Sequence, residues 1–111
     1  FGLAVAEMMA MGKVVISTDW SATAEFVDSS VGCPVKASLV ELAANVGPYA
    51  KGQQWAEPDR EDAARWMRRV VEDPQLRQRL GSNAQARIKT HYSPEAIGKR
   101  YLARMKSIAL F

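Results

Sequence analysis

The sequence predicts an α/β fold in which a few parallel strands are followed by several helices, and three observations carry that expectation. An apolar stretch, Phe1–Met11, leads through Gly12 into the β-branched run Val14-Val15-Ile16-Ser17-Thr18. Such a run suits a short strand covered on both faces of a parallel sheet. From Asp59 onward, Asp59, Asp73-Pro74 and Ser93-Pro94 punctuate segments whose apolar residues recur at helical spacing. The chain has 111 residues, 48% apolar and 24% charged, the size and composition of one globular domain, which excludes disorder and collagen-like structure.

Taken in order, Phe1–Met11 carries Glu7 as its one charge, the pattern of a helix buried all round, and Gly12 suits the left-handed residue that closes it. After the strand at Val14–Thr18, Asp19 to Ser21 supply turn and capping side chains, and Ala22–Val27 reads as a short helix. A second strand is expected at Val31–Lys36, where Pro34 suits an edge or irregular segment. Residues 37–58 are expected to form an irregular, ordered surface insertion. Within it, Leu39, Leu42, Ala43 and Val46 fit a helix over Ser38–Val46, while Gly47-Pro48, Gly52 and Pro58 break the remainder into loop.

Residues 59–111 form the expected helical tail. Asp59 caps a helix with an inward stripe of Ala63, Met67 and Val70, widened by Ala64 and Val71. Asp73-Pro74 opens a helix through Leu76 and Leu80 that stops at Gly81, and Ser82 starts another bearing Ala84 and Ile88. Ser93-Pro94-Glu95 opens the last, with Ile97, Tyr101, Met105 and Ile108. Two strands alone leave sheet edges open, so the chain is expected either to end a longer doubly wound domain or to borrow strands from a partner.

Charge divides along the chain. Residues 1–59 carry three lysines against seven carboxylates, a net −4, and residues 60–111 carry twelve cations against five carboxylates, a net +7. The basic half interleaves its charges with apolar positions, as a solvated helix face does; a surface for nucleic acid or another polyanion is the alternative. No run approaches the length of a membrane span. The single cysteine, Cys33, rules out an internal disulfide and cannot by itself make a cysteine metal site. These features predict a soluble, cytoplasmic protein, with attachment at the membrane periphery as the variant.

Glu7 is the most informative residue, because an ionised carboxylate in an apolar helix needs a partner. Its partner is either structural, an amide or an arginine, or a ligand whose vicinal hydroxyls its two oxygens accept. Phe1-Gly2-Leu3 begins the same helix, where free amides and the helix dipole favour an anion, although a plain cap explains a glycine equally well. Trp20 and Ser21 fall at the carboxyl end of the first strand, where ligands of open α/β sheets gather, and Glu25 follows close by. His91 reads as a residue favouring a helix C-terminus, Cys33 as a small buried apolar residue, and Trp55 and Trp66 as packing.

The stretch from Phe1 to Asp19, FGLAVAEMMAMGKVVISTD, resembles the donor-site segment of the group-1 retaining glycosyltransferases of GT-B fold. That family typically reads Glu-Gly-Phe-Gly-Leu, a helix with a second Glu, Ala-x-Gly, then a Val-Ile-x-Thr strand. The likeness continues through Trp20–Val27, Trp55–Asp59, Glu72-Asp73-Pro74, Leu80-Gly81 and Tyr92–Ile97, and so covers nearly the whole chain. It implies a Rossmann-like, C-terminal donor domain in part, and an enzyme moving a sugar from a nucleotide-sugar to an acceptor with retention. It implies that Glu7 meets the ribose hydroxyls and that Phe1, Gly2 and Leu3 lie near the diphosphate and donor sugar. Trp20, Ser21 and Glu25 would stand behind these contacts.

The family's first Glu would fall two positions before Phe1, and the cationic residues that neutralise the diphosphate and the N-terminal domain would also lie outside this stretch. The chain is therefore expected to be part of a longer enzyme and inactive alone. No cofactor or metal is implied, the nucleotide-sugar being a substrate. The expected partners are donor, acceptor, the missing N-terminal portion and a second copy, joined with or without exchanged elements; no nucleic acid is expected. The other reading is a non-enzymatic basic helical module that binds nucleic acid or an anionic surface.

Overall fold

The computed structural model describes residues 1–109, so the last two residues of the expected helical tail lie outside the described part. The fold is mixed α/β, with a small parallel sheet, a separate hairpin and several helices. Its elements are α1 (Leu3–Ala10), β1 (Ile16–Thr18), α2 (Ser21–Ala24), β2 (Cys33–Val35), β3 (Ala37–Glu41), β4 (Gln54–Pro58), α3 (Arg60–Glu72), α4 (Pro74–His91) and α5 (Pro94–Ser107).

β1 and β2 pair in parallel, Ile16 opposite Cys33 and Thr18 opposite Val35. Pro34 has no amide to give the ladder. Its carbonyl instead accepts the indole Nε1–H of Trp66 at 3.0 Å, which ties α3 to the sheet. Alternation along Val14–Ile16, the run that leads into β1, feeds two cores. Val15 joins Ala6, Met9, Phe26, Val27, Val31 and Ala84, whereas Val14 and Ile16 pack with Cys33, Leu76 and Leu80. α4 serves both.

Five expectations are corrected. Ser38–Val46 is not helical and 37–58 is not irregular: β3 and β4 pair antiparallel from Ala37 opposite Pro58 to Glu41 opposite Gln54. Val46 and Tyr49 then exchange backbone bonds of 2.9 and 3.0 Å around Gly47, whose φ of 54° suits a tight turn. The apolar spacing of Leu39 and Leu42 was compatible with a helix, but five cross-strand pairs outweigh a local preference.

The second correction concerns Gly81, which lies inside one continuous α4 rather than ending it. A Cβ there would collide with the carbonyl of Gly12, so this glycine permits α4 to cross the end of α1. Gln85 seals the crossing by donating to the Ala10 carbonyl at 3.0 Å.

Thirdly, the inward face of α3 keeps only part of the expected stripe. Val70 packs inward and Ala63 and Ala64 are half-buried as expected, but Met67 and Val71 are exposed, and Asp62 and Trp66 face inward in their stead. The Asp62 carboxylate accepts the Lys36 amide at 2.9 Å and the Arg65 guanidinium at 2.7 Å, and both contacts hold its pKa below the usual carboxylate value. Finally, α1 is not buried all round: only Ala6 and Met9 are buried. α2 begins and ends earlier than Ala22–Val27.

Candidate functional site

The side chains singled out in the sequence gather around the N-terminal end of α1. Gly2 is its N-cap, with no side-chain cap, and its carbonyl accepts the Ala6 amide at 3.0 Å. A Cβ on Gly2 would come within 2.7 Å of the Thr23 methyl, so the absence of a side chain is what lets α1 start against α2. Thr23 is also the link to β1, because its hydroxyl lies 3.2 Å from the carbonyls of both Thr18 and Trp20. Between them Ser21 has a φ of 57°, a left-handed conformation unusual for a residue with a Cβ.

Phe1 is anchored by aromatic contact. Its ring stacks on Phe26 at 5.0 Å between centroids and meets Tyr92 at 5.9 Å, while the Arg100 guanidinium lies 5.7 Å from the Tyr92 ring centre. Phe26 is buried, so it supplies a rigid base on which the otherwise exposed Phe1 rests.

An apolar groove of about 590 Å³ runs along this side of α1. Leu3, Glu7 and Ala10, spaced i, i+4 and i+7, line it on one side, and Tyr92, just past the end of α4, closes it together with Ile97 and Tyr101 of α5. Its size falls within the range of small-ligand pockets. Glu7 is the one charged lining residue. It is exposed and takes part in no ion pair among the described residues, which corrects the expectation of a carboxylate confined within an apolar helix. No burial cost demands a protein partner for it, and both oxygens are open to a ligand.

Of the predicted site residues, Phe1, Leu3 and Glu7 therefore share one groove. Gly2 stands at its end but faces Thr23. Trp20 and Ser21 adjoin Gly2 through Thr23 rather than lining the groove, and exposed Glu25 is outside the lining as well. Thr23, Phe26 and Tyr101 were not recognised as site residues. A Thr two residues after Ser21 carries no mark of its role until Gly2 is seen beneath it.

The other candidates settle into packing. Cys33 is fully buried, and burial pushes its thiol up to about 11, unlike a nucleophile's. His91 lies in the last turn of α4. Among the basic residues of α3, Arg65 pairs with Asp62 and Arg69 lies 5.4 Å from the Trp66 ring centre. Among the described residues no cluster of three or more His, Cys, Asp or Glu side chains is placed to hold a metal ion, and no helix is long and apolar enough to cross a membrane. Comparison of the chain with protein-family models, curated proteins and solved structures finds no match.

Proposed function

We propose that this chain is the donor-side portion of a retaining glycosyltransferase with a Rossmann-like GT-B domain. The observation that carries the reading is the stripe Leu3–Glu7–Ala10: an exposed carboxylate without an ion pair follows the uncapped start of α1 along one groove. Leu3 and Glu7 are separated by about 6 Å along the helix axis. The Leu3 amide donates to the Phe1 carbonyl at 3.0 Å, so it is the following first-turn amides and the positive dipole that suit a diphosphate, while a carboxylate with two free oxygens suits the vicinal hydroxyls of a ribose.

In the reaction, the bond from the anomeric carbon to the diphosphate oxygen breaks, and a bond to the acceptor oxygen forms on the same face of the sugar. The electron pair leaves with the diphosphate, where helix-end amides stabilise the growing negative charge. Catalytic cations and the acceptor site belong to other parts of the enzyme, so this stretch binds the donor without turning it over. The left-handed Ser21, and Thr23 with its one hydroxyl proton shared between the Thr18 and Trp20 carbonyls, hold the neighbouring strand end against Gly2.

Titration with UDP, GDP or ADP, followed by amide chemical shifts, tests the reading. Perturbation centred on Gly2, Leu3 and Glu7 is expected. Glu7→Gln removes the anionic acceptor and should weaken binding about tenfold or more, a loss typical of a charged hydrogen bond. Unmoved Gly2 and Glu7 signals at millimolar nucleotide would overturn the proposal.

A further inference from the structure

The positive charge of the chain is gathered at one end. Residues 82–109 carry six cations, Arg87, Lys89, Lys99, Arg100, Arg104 and Lys106, against the single carboxylate of Glu95, whereas residues 1–81 carry nine cations against eleven carboxylates. From Gly98 to Ala109 there are four cations and no carboxylate, and all four stand on α5. That helix holds no buried residue, and only Ala96, Ile97 and Met105 are half-buried. Among the described residues none of its cations makes an ion pair; Arg100 alone has a partner, the ring of Tyr92 at 5.7 Å.

The cations border an apolar strip on both sides. At helical spacing Leu102, Met105 and Ile108 fall together beside Tyr101, with Arg100 and Arg104 along one flank and Lys99 and Lys106 along the other. Tyr101, Leu102 and Ile108 are 66%, 45% and 48% exposed.

We propose that α5 lies on an anionic lipid surface, with Leu102, Met105 and Ile108 at the headgroup boundary and its four cations among the lipid phosphates. A narrow apolar face bordered by Lys and Arg is the arrangement of an interfacial helix, and four basic residues on one such helix reach the number that draws it to anionic lipid. Charge decides between this occupant and a protein. A folded surface laid on the strip would desolvate the flanking cations with it and would have to bring a carboxylate fixed opposite each one. Lipid headgroups are mobile and supply negative charge wherever it is needed, while the long Lys and Arg stems lie along the strip and keep their charges in water. The strip is small, so the attraction is chiefly electrostatic and weakens with salt. Neither Leu3 nor Glu7 takes part and no nucleotide is involved, so the inference stands independently of the donor reading.

Co-sedimentation of the whole chain with lipid vesicles tests this. At low ionic strength the chain is expected to pellet with vesicles of phosphatidylcholine and phosphatidylserine, to stay in solution with phosphatidylcholine alone, and to be released by added salt. Lys99→Gln with Arg104→Gln, one cation from each flank, should lower the partition coefficient about thirtyfold. Arg68→Gln with Arg79→Gln, an exposed pair on α3 and the first half of α4, removes the same charge and should leave binding nearly unchanged. If the first pair does not fold, Leu102→Trp supplies the second reading: its emission should move to the blue on the anionic vesicles as the ring leaves water. No pelleting with anionic vesicles, equal pelleting without the anionic lipid, equal losses from the two charge pairs, an unmoved Leu102→Trp emission, or capture of an RNA oligonucleotide in preference to the vesicles would overturn the proposal.

Discussion

Gly81 and Gly98 both stand inside helices, and alanine would improve the helix propensity of either. Their surroundings give opposite outcomes. At Gly98 nothing lies within 4 Å of the added Cβ, so Gly98→Ala should stabilise the chain by about 1 kcal/mol. At Gly81 the methyl meets the Gly12 carbonyl, and Gly81→Ala should cost about 2 kcal/mol net through overpacking. Urea unfolding of the two variants checks the sign of each. Ser21 offers a comparable test: Ser21→Gly relieves the left-handed φ and should gain about 0.5 kcal/mol, the strain released less the entropy glycine loses. A glycine in a sequence is compatible with a stop or with close packing. Its partner, 69 positions away in the case of Gly12 and Gly81, decides which. Glu7 teaches the same lesson, since its residue type pointed to a ligand while its exposure became evident only from what α1 leaves uncovered.

Among the elements, the helix starts were the most legible. Asp59, Asp73 and Ser93 accept the amides of Asp62, Leu76 and Ala96 at 3.0, 2.8 and 3.2 Å, as their spacing predicts. Asp73→Ala should therefore lower stability by about 1 kcal/mol, measured by thermal melting, and should fray the start of α4 in hydrogen exchange. The orientation of α3 was less legible. Its apolar residues allow more than one inward face, and the hydrogen bonds of Asp62 to Lys36 and of Trp66 to Pro34 select the one observed. β3 was misread for a related reason: Leu39 and Val40 become strand residues when β4 arrives, and the partner begins thirteen residues after β3 ends.

At the scale of the whole molecule, the long α4 holds the N-terminal elements together. Arg87 pairs with Asp28 at 2.6 Å and also reaches the Ser30 hydroxyl, and Asn83 donates to the Ser30 carbonyl. The Ser30 hydroxyl, with Arg87 beside it, holds the Asp28 carboxyl down at about 2, below its ordinary 3.8. A depressed carboxylate stabilises the fold above its unfolded pKa, and that contribution is lost as pH falls through the folded value. The carboxylate is half exposed, so the contribution is at most about 1 kcal/mol. Asp28→Asn should cost this amount at neutral pH, and the gap from the parent chain should close between about pH 4 and pH 2 in acid unfolding.

The sequence by itself determined where α3, α4 and α5 start, that Val14–Thr18 includes a strand, that Cys33 packs as an apolar residue, and that Phe1, Leu3 and Glu7 belong together. These features rest on interactions spanning a few residues: a cap bonding three positions on, β-branching, or a helical stripe. Only the tertiary structure decided the face of α3, the hairpin, the packing role of Gly81, the Thr23 link beneath Gly2 and the closing of the groove by Tyr92 and Tyr101. Each of these depends on segments distant in sequence meeting in space, and the energy of that meeting exceeds the local preferences that a sequence displays.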